Sequence, residues 1–236
     1  MNVSQKKVAK PQPLDQARSV LFERGWLAAR DSATREALFD IGRLASFESG
    51  QPLYNLSDPP NGLFGIVSGV VQILIPGENK EMLTPHRAEA GFWVGDLALF
   101  SDQRRLVSVV ARGPVQALFL PSTKLRELVR QHPDMMRDFY ALTHANMQTA
   151  LRLLANLSVT RSNSRIALRL LHIAESITPP DGWIELSQEE LAEHTAVSLP
   201  TVQRCLRLLS EMDAIELGYG RLRLLDRDGL FRFASD

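Results

Sequence analysis

The side chains best suited to chemistry lie near the end of the chain, where Gln203, Arg204 and Arg207 follow one another at close spacing. Arginine presents parallel N–H donors that match the O6 and N7 acceptors of guanine, and glutamine pairs with adenine or a phosphate. Thr201 offers a hydroxyl for a phosphate and a methyl for thymine. These residue types indicate a surface that binds nucleic acid, although an amphipathic helix with two arginines is also commonplace.

Two short helices are predicted to position these side chains. Ser187 and Glu190 form a capping box that begins the first helix, and the four residues 194–197 interrupt it. Ser198 caps the second helix, with Pro200 tolerated in its first turn. A short helix, a tight turn and a second helix with an apolar inner face form the helix-turn-helix pattern.

A β-hairpin is predicted after the second helix, because Gly218-Tyr219-Gly220 separates two short alternating runs. This wing would bring Arg221 and Arg223 to backbone phosphates, whereas Arg204 would contact a base. The full set of predicted DNA contacts is Ser198, Leu199, Pro200, Thr201, Gln203, Arg204, Arg207, Arg221 and Arg223.

Composition alone does not indicate a nucleic-acid binder, because 27 basic residues balance 27 acidic ones in 236. No apolar run is long enough for a membrane span, and residues 1–13 lack the apolar region of a secretory signal, so we predict a disordered lead-in. The single cysteine, Cys205, fits a reducing cytoplasm and excludes an intramolecular disulfide or a cysteine-ligated iron–sulfur cluster within one chain. It is either a redox-sensitive thiol beside Arg204 or a small packed residue.

Earlier parts of the chain differ in the spacing of their apolar residues. A helical pattern runs from Leu14 to Phe39, and short strands cut by turn residues follow from Ala45 to Leu120, which predicts a small β sandwich or barrel. One predicted strand is Val70–Ile75, which is followed by a turn at 76–79. Two more are Leu106–Val110 and Val115–Leu120, and Gly113-Pro114 separates them.

A long helix is predicted from Pro133 to Leu157, followed by a hinge at 160–164 and a helix from Arg165 to Ser176 that ends at 178–182. The long helix carries two apolar stripes side by side. We predict that one stripe pairs with a second protomer, namely Phe139, Leu142, Asn146, Thr149 and Leu153. The alternative is one helix buried on two sides within a monomer.

The segment SQEELAEHTAVSLPTVQRCLRLL resembles the recognition module of Crp/Fnr regulators, and the upstream half resembles their cyclic-nucleotide-binding fold. Phe47–Tyr54 and Leu63–Val71 look like strand motifs of that fold, and Gly95–Phe100 looks like its phosphate-binding cassette. The resemblance runs from about Leu14 to Asp228. It implies a homodimer on a two-fold DNA site, with RNA polymerase as a partner if the protein activates.

The implied fold class is α+β: an N-terminal double-stranded β-helix or jelly-roll barrel, a long dimerisation helix and a C-terminal winged helix-turn-helix. The predicted domains are 1–13, a disordered lead-in; 14–132, a sensor; 133–160, a dimerisation helix and hinge; and 161–236, a DNA-binding domain.

The resemblance departs from the cyclic-AMP pattern at three places. Asp96 replaces a glutamate, Leu106 after Arg105 replaces a hydroxyl residue, and Ala150 and Leu151 replace two hydroxyl residues on the long helix. Three lost groups at about 1 kcal/mol each lower affinity by about two orders of magnitude. We therefore expect no cyclic-AMP response, and either a vestigial pocket or another ligand. The predicted pocket consists of Gly95, Asp96, Leu97, Arg104, Arg105, Leu106, Ala150 and Leu151.

Other candidate sites are weaker. Arg104 and Arg105 in a loop are either an anion site or solvated, and His86 and His132 are expected to be exposed loop residues and not haem or metal ligands. Phe92 and Trp93 are expected in the core.

The recognition helix begins with Leu199-Pro200 where the family often has a base-reading residue, so we expect a different target sequence. Arg204 matches the family's base-contacting arginine. No hydrolase, P-loop or zinc-protease motif is found, so no enzyme is predicted. The competing hypotheses are a cyclic-nucleotide-responsive regulator and a ligand-binding regulatory module that acts on protein partners without DNA.

Overall fold

The fold is taken from a computed structural model that describes residues 13–77, 82–176 and 181–235. Nearly all of the predicted lead-in, the end of the predicted turn at 76–79 and residues 178–180 lie outside the described residues. The chain divides into two compact units. The first contains the described residues up to Gln72 and Ala88–Thr143, and the second contains Ile73–Arg87 and the described residues from His144 onward.

The elements follow one another along the chain in this order: α1 Pro13–Glu23, α2 Gly25–Ala28, α3 Ser32–Asp40, β1 Arg43–Phe47, β2 Pro52–Tyr54, β3 Gly62–Pro76, β4 Met82–Ala88, β5 Trp93–Val94, β6 Ser108–Pro121, α4 Ser122–Gln131, a 3-10 turn Pro133–Met135, α5 Met136–Leu157, α6 Ser162–Ser176, β7 Ile184–Glu185, α7 Gln188–Thr195, α8 Leu199–Glu211, β8 Ile215–Gly218, β9 Arg221–Leu224 and α9 Arg227–Ser235.

The sensor sheet has the strand order β1-β6-β3-β4, with β2 also paired to β6 and β5 to β3. Strand β1 runs antiparallel to β6, from Arg43 opposite Phe119 to Phe47 opposite Val115. Helices α1 to α4 pack their apolar faces on this sheet, and the shared core includes Leu21, Leu27, Leu38, Leu63, Trp93, Leu118, Leu120, Leu125, Phe139 and Leu142. The predicted β-rich sensor fold is confirmed, since antiparallel strands follow the helical start.

The prediction of two strands separated at Gly113-Pro114 is wrong. A single strand, β6, runs from Ser108 to Pro121, and Leu106 lies outside it. Gly113 takes a φ of +82°, a conformation that glycine adopts without strain, so the chain passes Pro114 and stays in the sheet. Different partners pair with its two ends, because β2 lies opposite Val109 and Val110 and β1 lies opposite the second half.

His86 is the second correction, because it lies buried in strand β4 and not in a polar loop. Its ring centroid is 6.2 Å from that of His172 on α6, in the same unit. Next to it, Arg169 Nη2 donates to the carbonyl of Pro85 at 2.6 Å, and Arg87 Nη1 donates to Glu190 Oε2 at 3.0 Å. Strand β4 is thus hydrogen-bonded to α6 and α7. His132, by contrast, is exposed at the end of α4, as predicted.

The second unit has its own core, in which α6, α7, α8 and α9 surround the small sheet β7-β9-β8. Its buried members include Ile166, Leu170, Ile184, Leu191, Val202, Leu206, Leu209, Ile215, Leu222 and Leu230. The short helices and the hairpin are confirmed. Because each element presents an apolar face to this one core, the positions of α8 and of the β8–β9 wing are fixed together.

The predicted hinge is shorter than expected, because α6 begins at Ser162 and not at Arg165. Asn156 Nδ2 donates to the carbonyl of Arg165 at 2.9 Å. Arg165 in turn donates from Nε to Val159 at 2.8 Å and from Nη1 to Thr195 at 3.0 Å. These bonds tie the end of α5 and the linker after it to α6, and α6 to the last residue of α7. No helix among the described residues is long and apolar enough to cross a membrane.

Candidate functional site

The first helix of the pair, α7, begins at the predicted capping box. Ser187 Oγ accepts from the backbone N–H of Glu190 at 3.2 Å, and Glu190 Oε2 accepts from the backbone N–H of Ser187 at 2.8 Å. The helix ends at Thr195 and is followed by Ala196, whose φ of +50° lies in the left-handed region, and by Val197, which packs against the core. The sharp turn into α8 therefore uses a non-glycine residue in a conformation that costs about 1 kcal/mol.

Helix α8 separates an apolar inner face from a polar outer face. Val202, Cys205, Leu206 and Leu209 are buried in the core of the second unit. The opposite face exposes Ser198, Pro200, Gln203, Arg204 and Arg207, with Thr201 and Leu199 half-buried beside them. The structure thus brings the predicted contacts on this helix together on one exposed surface.

Thr201 has a role that the sequence did not reveal. Its hydroxyl lies 3.0 Å from Ser198 Oγ and accepts from Arg204 Nη2 at 3.3 Å. Ser198 has the extended backbone of an N-cap, yet its side chain makes no capping hydrogen bond, so that detail of the prediction is wrong. The Ser198–Thr201–Arg204 chain holds the guanidinium near the amino-terminal end of α8, where recognition helices contact bases.

Cys205 lies on the inner face of α8 with no exposed surface. Burial raises the pKa of its thiol to about 12. Because the thiolate is the reactive species, the structure supports a packed residue and not a redox-sensitive one.

The two arginines of the wing that are predicted to contact phosphates differ in their ion pairing. Arg223 lies opposite Glu216 and donates to it from Nε at 2.5 Å. Arg221 is exposed, and no ion pair with it forms among the described residues. Both guanidiniums lie over the ring of Trp183, whose part the sequence analysis missed.

In the sensor unit, Arg105 is buried and not solvated, which corrects the interpretation of a loop arginine. Its Nη1 donates to the carbonyl of Gly95 at 2.7 Å, and its Nη2 donates to Gly62 O at 2.6 Å and to Asn61 Oδ1 at 2.9 Å. The guanidinium also lies 4.2 Å from the ring centroid of Tyr54. The predicted anion-binding side chain therefore already has internal partners on three sides.

The surroundings of Arg105 fit this internal role. Burial lowers its pKa, while Tyr54 and Asp96 act in the opposite direction. Gly95 has a φ of +106°, and a Cβ there would come within 2.7 Å of Arg105 Nη1, so only glycine allows the guanidinium to approach its carbonyl. The backbone conformation at the start of the Gly95–Phe100 segment thus allows Arg105 to bind within the protein.

The other predicted pocket residues are spread over both units. Leu97, Arg104 and Leu106 are exposed and line an open cleft of about 610 Å³. Within this cleft, Arg104 Nη1 donates a hydrogen bond to the carbonyl oxygen of Ser57 at 2.8 Å. Ala150 and Leu151 lie on α5 in the second unit, where both are exposed.

Two predicted interface residues on α5 need correction. Phe139 and Leu142 are buried in the core of the sensor unit, where Phe139 stacks on Trp26. Asn146, Thr149 and Leu153 are half-buried. The neighbouring stripe is the exposed apolar one, namely Met136, Tyr140, Met147, Leu151, Leu154 and Leu157.

Two protein-family models match the chain. A cyclic nucleotide-binding domain matches residues 44–132, and a Crp-like helix-turn-helix domain matches residues 164–233. The chain belongs to the Crp/Fnr family. The regions matched are the β-sheet sensor and the unit that contains α7, α8 and the wing, so this family member is a transcription regulator with a helix-turn-helix DNA-binding domain.

Individual relatives are distant. The chain is 27% identical over 175 residues to the cAMP-activated global transcriptional regulator CRP of Pasteurella multocida, which covers 72% of this chain and 83% of that protein. The protein of the same name from Escherichia coli is 29% identical over the same shares.

Among solved structures, FixK2 from Bradyrhizobium japonicum has a TM-score of 0.72 at 17% identity and covers 81% of this chain and 96% of its own. The c-di-GMP responsive global regulator CLP of Xanthomonas campestris has a TM-score of 0.64 at 22% identity and covers 82% and 99%. These structures show that the Crp/Fnr fold is shared.

Proposed function

We propose that this Crp/Fnr member is a homodimeric, sequence-specific regulator that places one α8 helix from each protomer in successive major grooves of a two-fold-symmetric operator. The observation that carries this proposal is the polar face of α8, on which Thr201 orients Arg204 over a buried apolar face. An arginine held in this way is suited to the paired acceptors of guanine. Such a regulator acts in the cytoplasm, with RNA polymerase as a partner if it activates.

The homodimer is supported by the exposed stripe of α5. Apolar side chains at Tyr140, Leu151 and Leu154 are 74%, 57% and 61% exposed. With Met136, Met147 and Leu157 they recur at steps of three, four or seven along one helix, which is the pattern of a helix that pairs with another. A second copy of α5 covers this stripe in the proposed dimer, and two-fold pairing matches a two-fold operator.

The sensor is proposed not to respond to cyclic AMP. In the resemblance, an arginine and a neighbouring hydroxyl bind the cyclic phosphate, yet Arg105 donates from Nη1 and Nη2 to Gly95, Gly62 and Asn61, and Leu106 supplies no hydroxyl. A ligand that took Arg105 would leave buried carbonyls without donors, which costs about 1–3 kcal/mol for each group.

Thermal unfolding in the presence of nucleotides tests this claim about the effector. A ligand that binds only the folded protein raises the melting temperature by mass action. We expect 1 mM cyclic AMP to leave the melting temperature unchanged, and a saturable rise would contradict the proposal. A parallel titration with c-di-GMP, the effector named for the Xanthomonas relative, tests whether another nucleotide is recognised.

A further inference from the structure

Trp183 lies against the wing, outside every predicted DNA contact. It directly precedes β7, whose Glu185 pairs with Arg221 on β9. The guanidinium carbon of Arg221 lies 4.5 Å from the centroid of its ring, and that of Arg223 lies at 5.1 Å. One indole ring therefore supports both arginines of the wing.

The two arginines are not equivalent on this ring. Arg223 donates to Glu216 on the facing strand, so its charge is already partly neutralised. Arg221 has no such ion pair among the described residues, and it lies next to the tip of the hairpin formed by Tyr219 and Gly220. Arg221 is therefore the wing cation that stays available for an anionic partner.

Gly218 makes the stacked arrangement possible. It lies directly opposite Arg221 in the hairpin. A Cβ at this position would come within 2.9 Å of Arg221 Cγ and 3.1 Å of the Trp183 ring. A larger residue at 218 would therefore press on both the ring and the aliphatic part of the arginine, although its backbone conformation does not require glycine.

We propose that Trp183 is a positioning residue for DNA binding, whose ring holds Arg221 extended toward a backbone phosphate. The inference rests on the proposed DNA function. A free arginine side chain carries about 2 kcal/mol of rotamer entropy, and a guanidinium already fixed on an aromatic face loses less of it on binding. Trp183 contributes to affinity through Arg221, without touching DNA.

A double-mutant cycle on DNA affinity tests this role, with Trp183→Ala, Arg221→Ala and the double variant measured at one salt concentration. We expect each single change to weaken binding by about three- to tenfold, as for one lost contact of about 1 kcal/mol. The double variant should be no weaker than Arg221→Ala, and Trp183→Phe should keep most of the affinity. Losses that multiply in the double variant would overturn the proposal.

Gly218→Ala gives a second route if removal of the indole ring prevents folding. It should weaken DNA binding in the wild-type background and have no effect in Arg221→Ala, with each melting temperature measured as a check on folding. An equal effect in both backgrounds would contradict positioning through Arg221.

Arg204→Ala distinguishes failure of this inference from failure of the DNA function. If Arg204→Ala weakens binding and Arg221→Ala does not, only the role of the wing is wrong. If the wild-type protein binds no DNA, the proposed function itself fails, and the inference fails with it.

Discussion

We infer that specific recognition of DNA bases depends on Arg204. It is exposed on α8, and its Nη2 is hydrogen-bonded to the Thr201 hydroxyl in the free protein. A side chain oriented before DNA arrives contributes direction as well as charge, because a bidentate contact needs both N–H donors in one plane.

We predict that Arg204→Ala costs about 1–3 kcal/mol of DNA-binding free energy and relaxes discrimination at one base pair in each half-site. Fluorescence anisotropy with the preferred site and with single-base variants measures both effects. Arg130→Ala, which removes an exposed arginine of the sensor unit, is the matched control and should bind as wild type. Unchanged affinity and base preference in Arg204→Ala would show that the proposed docking of α8 is wrong.

Single residues also show where sequence reasoning stops. The capping box of Ser187 and Glu190 was predictable, because both partners lie within four positions and the bonds are local. The burial of Arg105 was not, since its acceptors Gly62 and Asn61 are more than forty positions away along the chain. Trp183 was missed for the same reason, because its partners lie on the far strand of the wing.

The contact between β4 and the helices α6 and α7 buries two histidines, His86 and His194, beside cations. Burial, with Arg169 nearby, lowers the pKa of both His86 and His194 to about 3. Arg87 and His86 add to the effect on His194, and Glu190 opposes it. Both rings are therefore neutral in the folded protein across the physiological range.

This arrangement predicts a loss of stability in acid. An unfolded histidine has a pKa of about 6.5, so between pH 6.5 and about 3 the unfolded chain binds protons that the folded chain does not. The contribution to stability is complete above pH 6.5, and it falls by about 2 kcal/mol for each histidine on going to pH 5.

Urea denaturation at pH 7.5 and pH 5 measures this dependence. His194→Gln should lose about 2 kcal/mol of the difference between the two pH values, the contribution of one buried ring, whereas His132→Gln, which changes an exposed residue at the end of α4, should keep all of it. The same pH dependence in all three proteins would contradict the role given to the buried histidines.

Helix α5 shows what periodicity can and cannot establish. The sequence predicted the helix and its two stripes, yet it assigned Phe139 and Leu142 to the partner and not to the protomer's own core. Spacing alone shows which residues share a face, but the packing partner of each face depends on the tertiary structure. The exposed stripe is thus the one that carries the proposed dimer.

We predict that Leu154→Glu converts the proposed dimer to a monomer, because it places a charge within the carboxyl-terminal half of the apolar stripe. Analytical ultracentrifugation measures the mass, and DNA affinity should fall together with it. Ala145→Glu, half a turn round the helix from Leu154, is the matched control and should stay dimeric. If the Leu154→Glu protein remains dimeric, the dimer interface does not lie on the exposed stripe of α5.

For the whole molecule, the resemblance and the two family models agree on a sensor and a DNA-binding domain, while the boundaries differ in detail. The predicted domains placed the long helix in a segment of its own, yet the two compact units divide between Thr143 and His144, within α5. Buried contacts of the first turns of α5 with the sensor core explain that division. The identity of the effector could not be predicted, because it depends on pocket geometry that only the fold assembles.

We infer that this protein binds a two-fold-symmetric DNA sequence without cyclic AMP. Selection of genomic fragments by the purified protein, with and without cyclic AMP at one fixed salt concentration, tests it directly, because affinity for DNA depends strongly on salt. We predict that one palindromic motif is enriched equally in both conditions. Enrichment only with cyclic AMP would contradict the effector claim, and no enriched motif in either condition would contradict the proposed DNA recognition itself.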